Sequence, residues 1–321
     1  MAVFTHLSLD DANTILESYS LGRLLKLTPI DAGIENTNYF LDTERGGSCF
    51  SWVLTVFENL DSSELPYFCD LTEHLANKGL HVPAPERLLN GQQLFRFKGK
   101  SGAIVPRFSG AACDQPTSEH CAKVGQWLAQ MHLAVDDFSG MRPMPRELDW
   151  MLAYQRELVP VLTEQENRLL SLAIEDFVQH REALSACPQG AVHGDLFHDN
   201  VLFDAQRISG VIDFYNACNT CLIYDLAVAV NDWCVDSGGL HVPELLSAFR
   251  SGYERYRPLN AQEQKVFPYT LELAALRFWL SRLNSQHGKG YQNQAIAGMA
   301  IKDPAQMQNI LLQLRNRRLG R

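Results

Sequence analysis

The sequence predicts an α+β protein of two lobes: an N-terminal antiparallel β-sheet lobe with one helix, then a larger, mainly helical C-terminal lobe. Three observations predict it. The first hundred or so residues alternate β-rich runs with Gly-containing turns. Beyond residue 110, apolar side chains recur at spacings of three and four. Within that helical half, residues 193–214 hold a polar loop and two short apolar runs around a turn. The boundary is set at 108/109, giving lobes 1–108 and 109–321.

Taken in order, residues 37–41 and 51–57 read as strands, with Arg45-Gly46-Gly47-Ser48 as their turn. Residues 65–78 read as a helix, because Pro66 sits in its first turn and Gly79 follows its end. Residues 82–85 are extended. Residues 93–97 and 103–108 form a strand pair about the turn at 98–102, and Ser109-Gly110 follows as a hinge. Cys121, Val124, Leu128, Met131 and Val135 mark the buried face of a helix that begins near Pro116 and Thr117. Residues 165–184 are a further helix. Strands at 201–203 and 208–212 flank the turn 204–207, and helices follow at 222–235 and 262–283. Asp303 caps a last helix with Pro304 at its first position. Its basic end, Arg315 to Arg318, reads as a solvated tail favourably placed against the helix dipole.

The chain has 321 residues, 46% hydrophobic and 20% charged, which suits an enzyme with a substantial core. A formal net charge of −9 argues against general nucleic-acid binding, which needs a basic footprint. The N-terminus has no basic stretch followed by an apolar core, and no apolar run reaches the roughly 18 residues of a membrane span. A cytoplasmic location is expected, without nucleic-acid or membrane partners. The 8 Cys are expected to be reduced, buried side chains. Cys218 and Cys221 have C-x-x-C spacing, but no second pair completes a zinc site.

The chemistry concentrates in His193-Gly194-Asp195-Leu196-Phe197-His198-Asp199-Asn200 and in Val211-Ile212-Asp213-Phe214. Asp195 and Asn200 are five apart, the spacing with which kinases place a hydroxyl-activating Asp and a magnesium-binding Asn. Asp213 precedes a Phe, as in the D-F-G metal motif. Phosphoryl transfer needs an aligned nucleophile and neutralised phosphate charge. An alcohol is a weak nucleophile, and a carboxylate can orient it and take its proton. Asp195 is the candidate base, with His193 supporting its loop. Magnesium prefers hard oxygen ligands, which Asn200 and Asp213 supply. The bland alternative is that Asp195 and Asn200 only make turn hydrogen bonds. A transition-metal cluster of His193, Asp195, His198 and Asp199 is another, but it leaves Asn200 and Asp213 unexplained.

A β-rich lobe, a hinge and a helical lobe with an embedded hairpin is the order of a protein-kinase-like fold, whose cleft would hold ATP. The segment Ala32-Gly33-Ile34-Glu35-Asn36-Thr37-Asn38 would lie over the phosphates, although an ordinary turn is an equal reading. Gly33, Asn36, Asn38, Thr55 and Arg107 are the candidate nucleotide-binding residues. No P-loop and no G-x-S-x-G elbow occurs.

These catalytic motifs resemble the aminoglycoside phosphotransferase and choline kinase superfamily. Further segments resemble its homoserine kinase branch. They are Gly33 to Phe40, Val53-Leu54-Thr55-Val56-Phe57-Glu58, Asp213 to Asn219, Tyr224-Asp225-Leu226-Ala227, Asn231-Asp232-Trp233-Cys234 and Arg277 to Leu283. The likeness runs from about residue 30 to about 290. It implies ATP- and Mg2+-dependent phosphorylation of L-homoserine to O-phospho-L-homoserine, a step of threonine biosynthesis. It also implies Asp195 as base, Asn200 and Asp213 as magnesium ligands, and Asp225 as a brace of the catalytic loop. One departure stands out. The position of the usual strand Lys holds Thr55, which leaves Glu73 on the following helix without that Lys, to be expected as an exposed helix residue, and keeps an inactive pseudokinase open. Choline, ethanolamine or an aminoglycoside remain alternative acceptors.

A zwitterionic acceptor calls for Arg at its carboxylate and for acids or carbonyls at its ammonium. Arg277 and Arg282 are the candidates, one expected in the site and the other in a structural ion pair. Tyr215 and Asn216 would line the pocket. Trp233 and Trp279 could wall it, though a helical aromatic is more often core.

Overall fold

The computed structural model describes residues 4–30, 36–287 and 302–320. They fall into two compact units, one running to Gly110 and including Ser209–Ile212, the other comprising Ala111–Ile208 and Asp213 onward.

In the first unit, β1 (Arg23–Ile30), β2 (Asn36–Arg45), β3 (Ser48–Phe57), β4 (Phe95–Phe97) and β5 (Lys100–Pro106) form one antiparallel sheet in the order β1-β2-β3-β5-β4. Arg45 pairs with Ser48 across Gly46 and Gly47, whose φ values of +60° and +80° are those of a primed hairpin turn. Pro29 lies in β1, at the sheet's edge, where a missing N–H leaves no inner ladder bond unmade. Leu41, Leu54, Val56 and Ile104 form the core of the sheet, joined by Ile15 and Leu16 of α1 (Leu9–Leu16). Helix α2 (Leu65–Asn77) has Pro66 at its start, and Gly79 follows it at φ +88°. This unit therefore has a second helix beside the one expected. Eight residues are too few for a periodicity signal. The legible trace of α1 is its capping box, Ser8 with Asp11.

The second unit is mainly helical: α3 (Ser118–Ala134), α4 (Leu148–Leu158), α5 (Glu164–Ser185), α6 (Leu222–Trp233), α7 (Pro243–Glu254), α8 (Ala261–His287) and α9 (Pro304–Arg318). Strands β6 (Gln189–Val192) and β9 (Cys218–Cys221) pair antiparallel, and β7 (Val201–Asp204) pairs with β8 (Arg207–Val211). Capping boxes at Thr117 and Thr163 start α3 and α5. Helices α3 and α7 approach so closely that a methyl group at Gly125 would strike the Phe249 carbonyl, and one at Gly252 the Ala122 carbonyl. Helix α6 is buried on every side, as its nearly continuous apolar sequence requires.

The basic end of α9 is not a solvated tail. Arg315 is buried against Asp176 at 2.6 Å and Glu272 at 3.2 Å. Arg318 reaches the same two carboxylates at 2.5 and 2.6 Å and lies over the Tyr269 ring. Residues 315 and 318 share one helical face, and α5 and α8 meet that face with carboxylates. Arg315→Ala leaves Glu272 buried with a weakened charge balance. It should cost about 3 kcal/mol in urea denaturation, whereas Arg181→Ala, which opens the exposed pair with Glu147, should change stability by less than about 0.5 kcal/mol.

Candidate active site

The second unit holds the candidate loop, residues 193–200, and its helices fix the backbone there. After β6 the chain turns through Gly194 at φ +75°, where a Cβ would come within 2.7 Å of the Asn216 carbonyl oxygen. Only glycine meets both conditions. Asp225, in the first turn of α6, accepts the N–H groups of His193 at 2.7 Å and Gly194 at 2.8 Å. His132 of α3 meets the same carboxylate through Nε2 at 3.2 Å. Burial penalises the Asp225 charge, but the hydrogen bond from His132, then His193 and the Gly194 N–H, outweigh it and hold the carboxyl below its usual range. Burial likewise lowers the pKa of His132 and favours the neutral ring. A carboxylate only accepts, so Nε2 carries the ring proton. The bare Nδ1 then accepts from Tyr253 Oη at 2.7 Å, whose oxygen accepts from Arg257 at 2.9 Å.

Other groups complete the frame. Trp233 Nε1 donates to the Leu196 carbonyl at 3.0 Å. Asp232 accepts from His198 N at 2.6 Å and faces His198 Nδ1 at 2.8 Å. Arg277 of α8 donates to the Gly194 carbonyl at 2.7 Å. His193 is fully buried, and its Nδ1 accepts the Asp195 N–H at 3.2 Å.

On this frame Asp195 is half-buried. Its Oδ2 accepts from Asn216 Nδ2 at 3.1 Å, and Asn216 Oδ1 accepts from Arg146 at 2.9 Å. Asn200 Nδ2 donates to the Asp195 carbonyl at 2.8 Å, which leaves Asn200 Oδ1 without a protein partner among the described residues. Asp213 follows β8 in a left-handed conformation, φ +65° and ψ 59°, which Asp tolerates better than most side chains. Desolvation and the negative charge of Asp213 push the Asp195 carboxyl up to about 8, against the opposing pull of Arg277 and Lys302. Two repelling carboxylates beside an unused amide oxygen form a hard-oxygen donor set that fits a magnesium ion, with Asn200 and Asp213 as the side chains to hold it.

The other sequence candidates sort by packing. Arg282 donates to the Asp303 carbonyl and to Gln306 Oε1, both at 2.9 Å. Trp233 and Trp279 are fully buried core residues. Tyr215 is half-buried beside Asn216, and His198 is tied to Asp232. Cys218 and Cys221 are buried free thiols, pushed up by burial to about 11 and about 12. Among the described residues no three His, Cys, Asp or Glu side chains gather as a metal cluster. In the first unit, Gly33 lies outside the described residues. Asn36 Oδ1 accepts from Glu58 N at 3.3 Å, and Thr55 Oγ1 donates to Asn38 Oδ1 at 2.7 Å. Arg107 is exposed, with its guanidinium 3.8 Å from the Phe40 ring centroid. Glu73 is not a stray exposed residue, because Arg87 holds it with two bonds at 2.6 and 2.7 Å. Pattern reading missed His132, Arg146 and Arg87. The one signal for His132 was its place on the buried face of α3, one residue from Met131.

The model of the phosphotransferase enzyme family matches residues 26–259. A curated homoserine kinase of Methylobacillus flagellatus is 40% identical over 311 residues, 97% of this chain and 94% of that one. The homoserine kinase of Methylobacillus glycogenes is 41% identical, with 97% and 95% covered. Among solved structures, an amicoumacin kinase in complex with AMP-PNP and Ca2+ shares the fold at a TM-score of 0.69 and 16% identity, covering 96% of this chain and 94% of that one.

The raised Asp195 carboxyl has a measurable consequence in metal-free protein. An unfolded Asp releases its proton near pH 4. Folded Asp195 keeps it to about 8, so the folded state binds the extra proton between those values. Its stabilising share is therefore full below about pH 4 and is lost as pH rises toward 8. In EDTA, Asp195→Asn should gain stability over the wild type across this window, reaching on the order of a few kcal/mol at pH 9. Denaturation midpoints at pH 5, 7 and 9 test it. A pH-independent difference would sink the assignment.

Proposed function

The chain belongs to the phosphotransferase enzyme family, and from that premise we propose that it phosphorylates the side-chain hydroxyl of L-homoserine with ATP, giving O-phospho-L-homoserine for threonine biosynthesis. The observation that carries the chemistry is the Asp195 carboxylate, oriented by Asn216 on a loop that Asp225 and Arg277 hold by its backbone. The acceptor rests on the curated relatives, about 40% identical over almost the whole chain.

In the proposed reaction, the homoserine hydroxyl lies against Asp195. Its oxygen attacks the γ-phosphorus as the bond to the bridging β,γ oxygen breaks, ADP leaves, and the hydroxyl proton passes to an Asp195 oxygen. Asn216 keeps that oxygen aimed, and Arg146 keeps Asn216 from turning its amide over. Asn200 and Asp213 would hold magnesium, which when bound supplies charge neutralisation at the phosphates. Gly33, Asn36, Asn38, Thr55 and Arg107 are the proposed nucleotide contacts, and Tyr215 and Asn216 the proposed acceptor contacts. Arg277, enclosed and bonded to the Gly194 carbonyl, is better read as a positioning residue. The cytoplasm is the proposed compartment, in keeping with 8 free cysteines. No helix among the described residues is long and apolar enough to cross a membrane.

ADP release with Mg-ATP across L-homoserine, choline, ethanolamine and kanamycin tests the acceptor. Turnover should be confined to L-homoserine, and a different preferred acceptor would overturn the reading. Asp195→Ala should lower kcat about 10²–10⁴-fold with the fold intact by circular dichroism. Near-normal turnover in that variant would remove Asp195 as the base.

A further inference from the structure

An amino-acid acceptor brings two charges beside its hydroxyl, and each needs a partner once desolvated. The two arginines offered by the sequence are enclosed and tied to the chain, although the Nε of Arg277 has no hydrogen-bond partner among the described residues. Arg277 is 4% exposed, bonded to the Gly194 carbonyl and 4.0 Å from the Phe278 ring centroid. Arg282 is 6% exposed and bonded to Asp303 and Gln306. A different cation faces solvent at the catalytic loop. Lys302 Nζ lies 2.6 Å from Asp199 Oδ2, with 47% and 45% of the two side chains exposed. The same ammonium sits 4.7 Å from the centroid of the Phe197 ring. Both charges act on Asp195: Lys302 pulls its carboxyl down and Asp199 pushes it up.

The placement of Lys302 is fixed by packing. It stands two positions before Pro304, the first residue of α9. Arg282 grips the start of that helix, and Asp176 and Glu272 grip Arg315 and Arg318 near its end. Met307, Ile310 and Leu311 between them are fully buried. The helix is thus anchored along its length, and its leading edge presents a lysine to the loop that carries Asp195.

We propose that Lys302 and Asp199 form the subsite that recognises the zwitterion of the acceptor, Lys302 taking the carboxylate and Asp199 the ammonium while the hydroxyl meets Asp195. An exposed Lys–Asp pair is worth only about 0–1 kcal/mol, so it opens at little cost for a ligand that brings both complementary charges. The hydroxyl of homoserine is roughly 5 Å from its charged groups, by ordinary bond lengths. Asp199 is four positions along the loop from Asp195, within the 3-10 turn His198–Asn200. The subsite rests on the L-homoserine reading above.

The test compares kcat/KM for L-homoserine, 3-amino-1-propanol, which lacks the carboxylate, and 4-hydroxybutyrate, which lacks the ammonium. Competitive inhibition constants serve where an analogue is not turned over. Lys302→Met should raise KM for L-homoserine about 10–100-fold, the range of one charged hydrogen bond, and leave 3-amino-1-propanol and the KM for ATP unchanged. Asp199→Asn should raise KM for L-homoserine and leave 4-hydroxybutyrate unchanged. Lys302→Arg should recover most of the loss. A Lys302→Met variant that matches the wild type, or that weakens L-homoserine and 3-amino-1-propanol alike, overturns the subsite while leaving the kinase reading intact. Wild-type protein that does not phosphorylate L-homoserine removes the acceptor reading and the subsite together, before any variant is made.

Discussion

The Asp225 carboxylate is the constraint on which the site depends. Fully buried, it would be costly without partners. Three donors meet it, the N–H groups of His193 and Gly194 and the Nε2–H of His132. Satisfying the charge and shaping the loop are therefore one event: the loop bends where it must to bring two consecutive N–H groups to one carboxylate. The position of Asp225 in the first turn of α6 adds the favourable end of the helix dipole. The far end of the same helix holds the other half of the loop, through Asp232 to His198 and Trp233 to Leu196. A helix buried on every side is a rigid support, and the proposed catalytic group needs one.

The brace also explains why Asp195 can sit in an electrostatically poor position. Desolvation and Asp213 both raise its proton affinity. A flexible loop would relax by moving the two carboxylates apart. Here the backbone on either side of Asp195 is held by Asp225, Arg277 and Asn200, and the strain is retained. Positive charge at Asn200 and Asp213 would relieve it, so the proton affinity of the loop and its affinity for a cation are linked.

What the sequence made legible was local. Asp195 and Asn200 lie on one loop, five positions apart, and Asp213 carries its marker in the next residue. Strands β2, β3, β4 and β5 and helices α2, α3 and α8 were readable from local pattern and end signals, and α9 from its Asp303 cap and Pro304, whereas β1 was not read. The supports were not readable, because they are pairings across long separations. His132 is 93 positions from Asp225, Arg146 is 70 from Asn216, and Arg277 is 83 from Gly194. The basic end of α9 misled for the same reason, with its partners Asp176 and Glu272 lying 139 and 43 positions from Arg315. Charge on a terminal helix looks solvated until the facing carboxylates are known.

The absence of a strand lysine at Thr55 is best judged by what surrounds it. In a site without function, the helix acid that would pair with that lysine is expected to stand unpaired. Glu73 instead has a bidentate guanidinium from Arg87 and a further bond from Gln93 at 3.2 Å. The Thr55 hydroxyl is likewise placed, donating to Asn38. The helix carboxylate has a cation from another segment, and the strand hydroxyl has a hydrogen bond. Decay leaves orphaned polar groups behind, since nothing acts to remove them in concert. The pairing of Glu73 and Thr55, together with the intact brace beneath Asp195, weighs against the pseudokinase alternative.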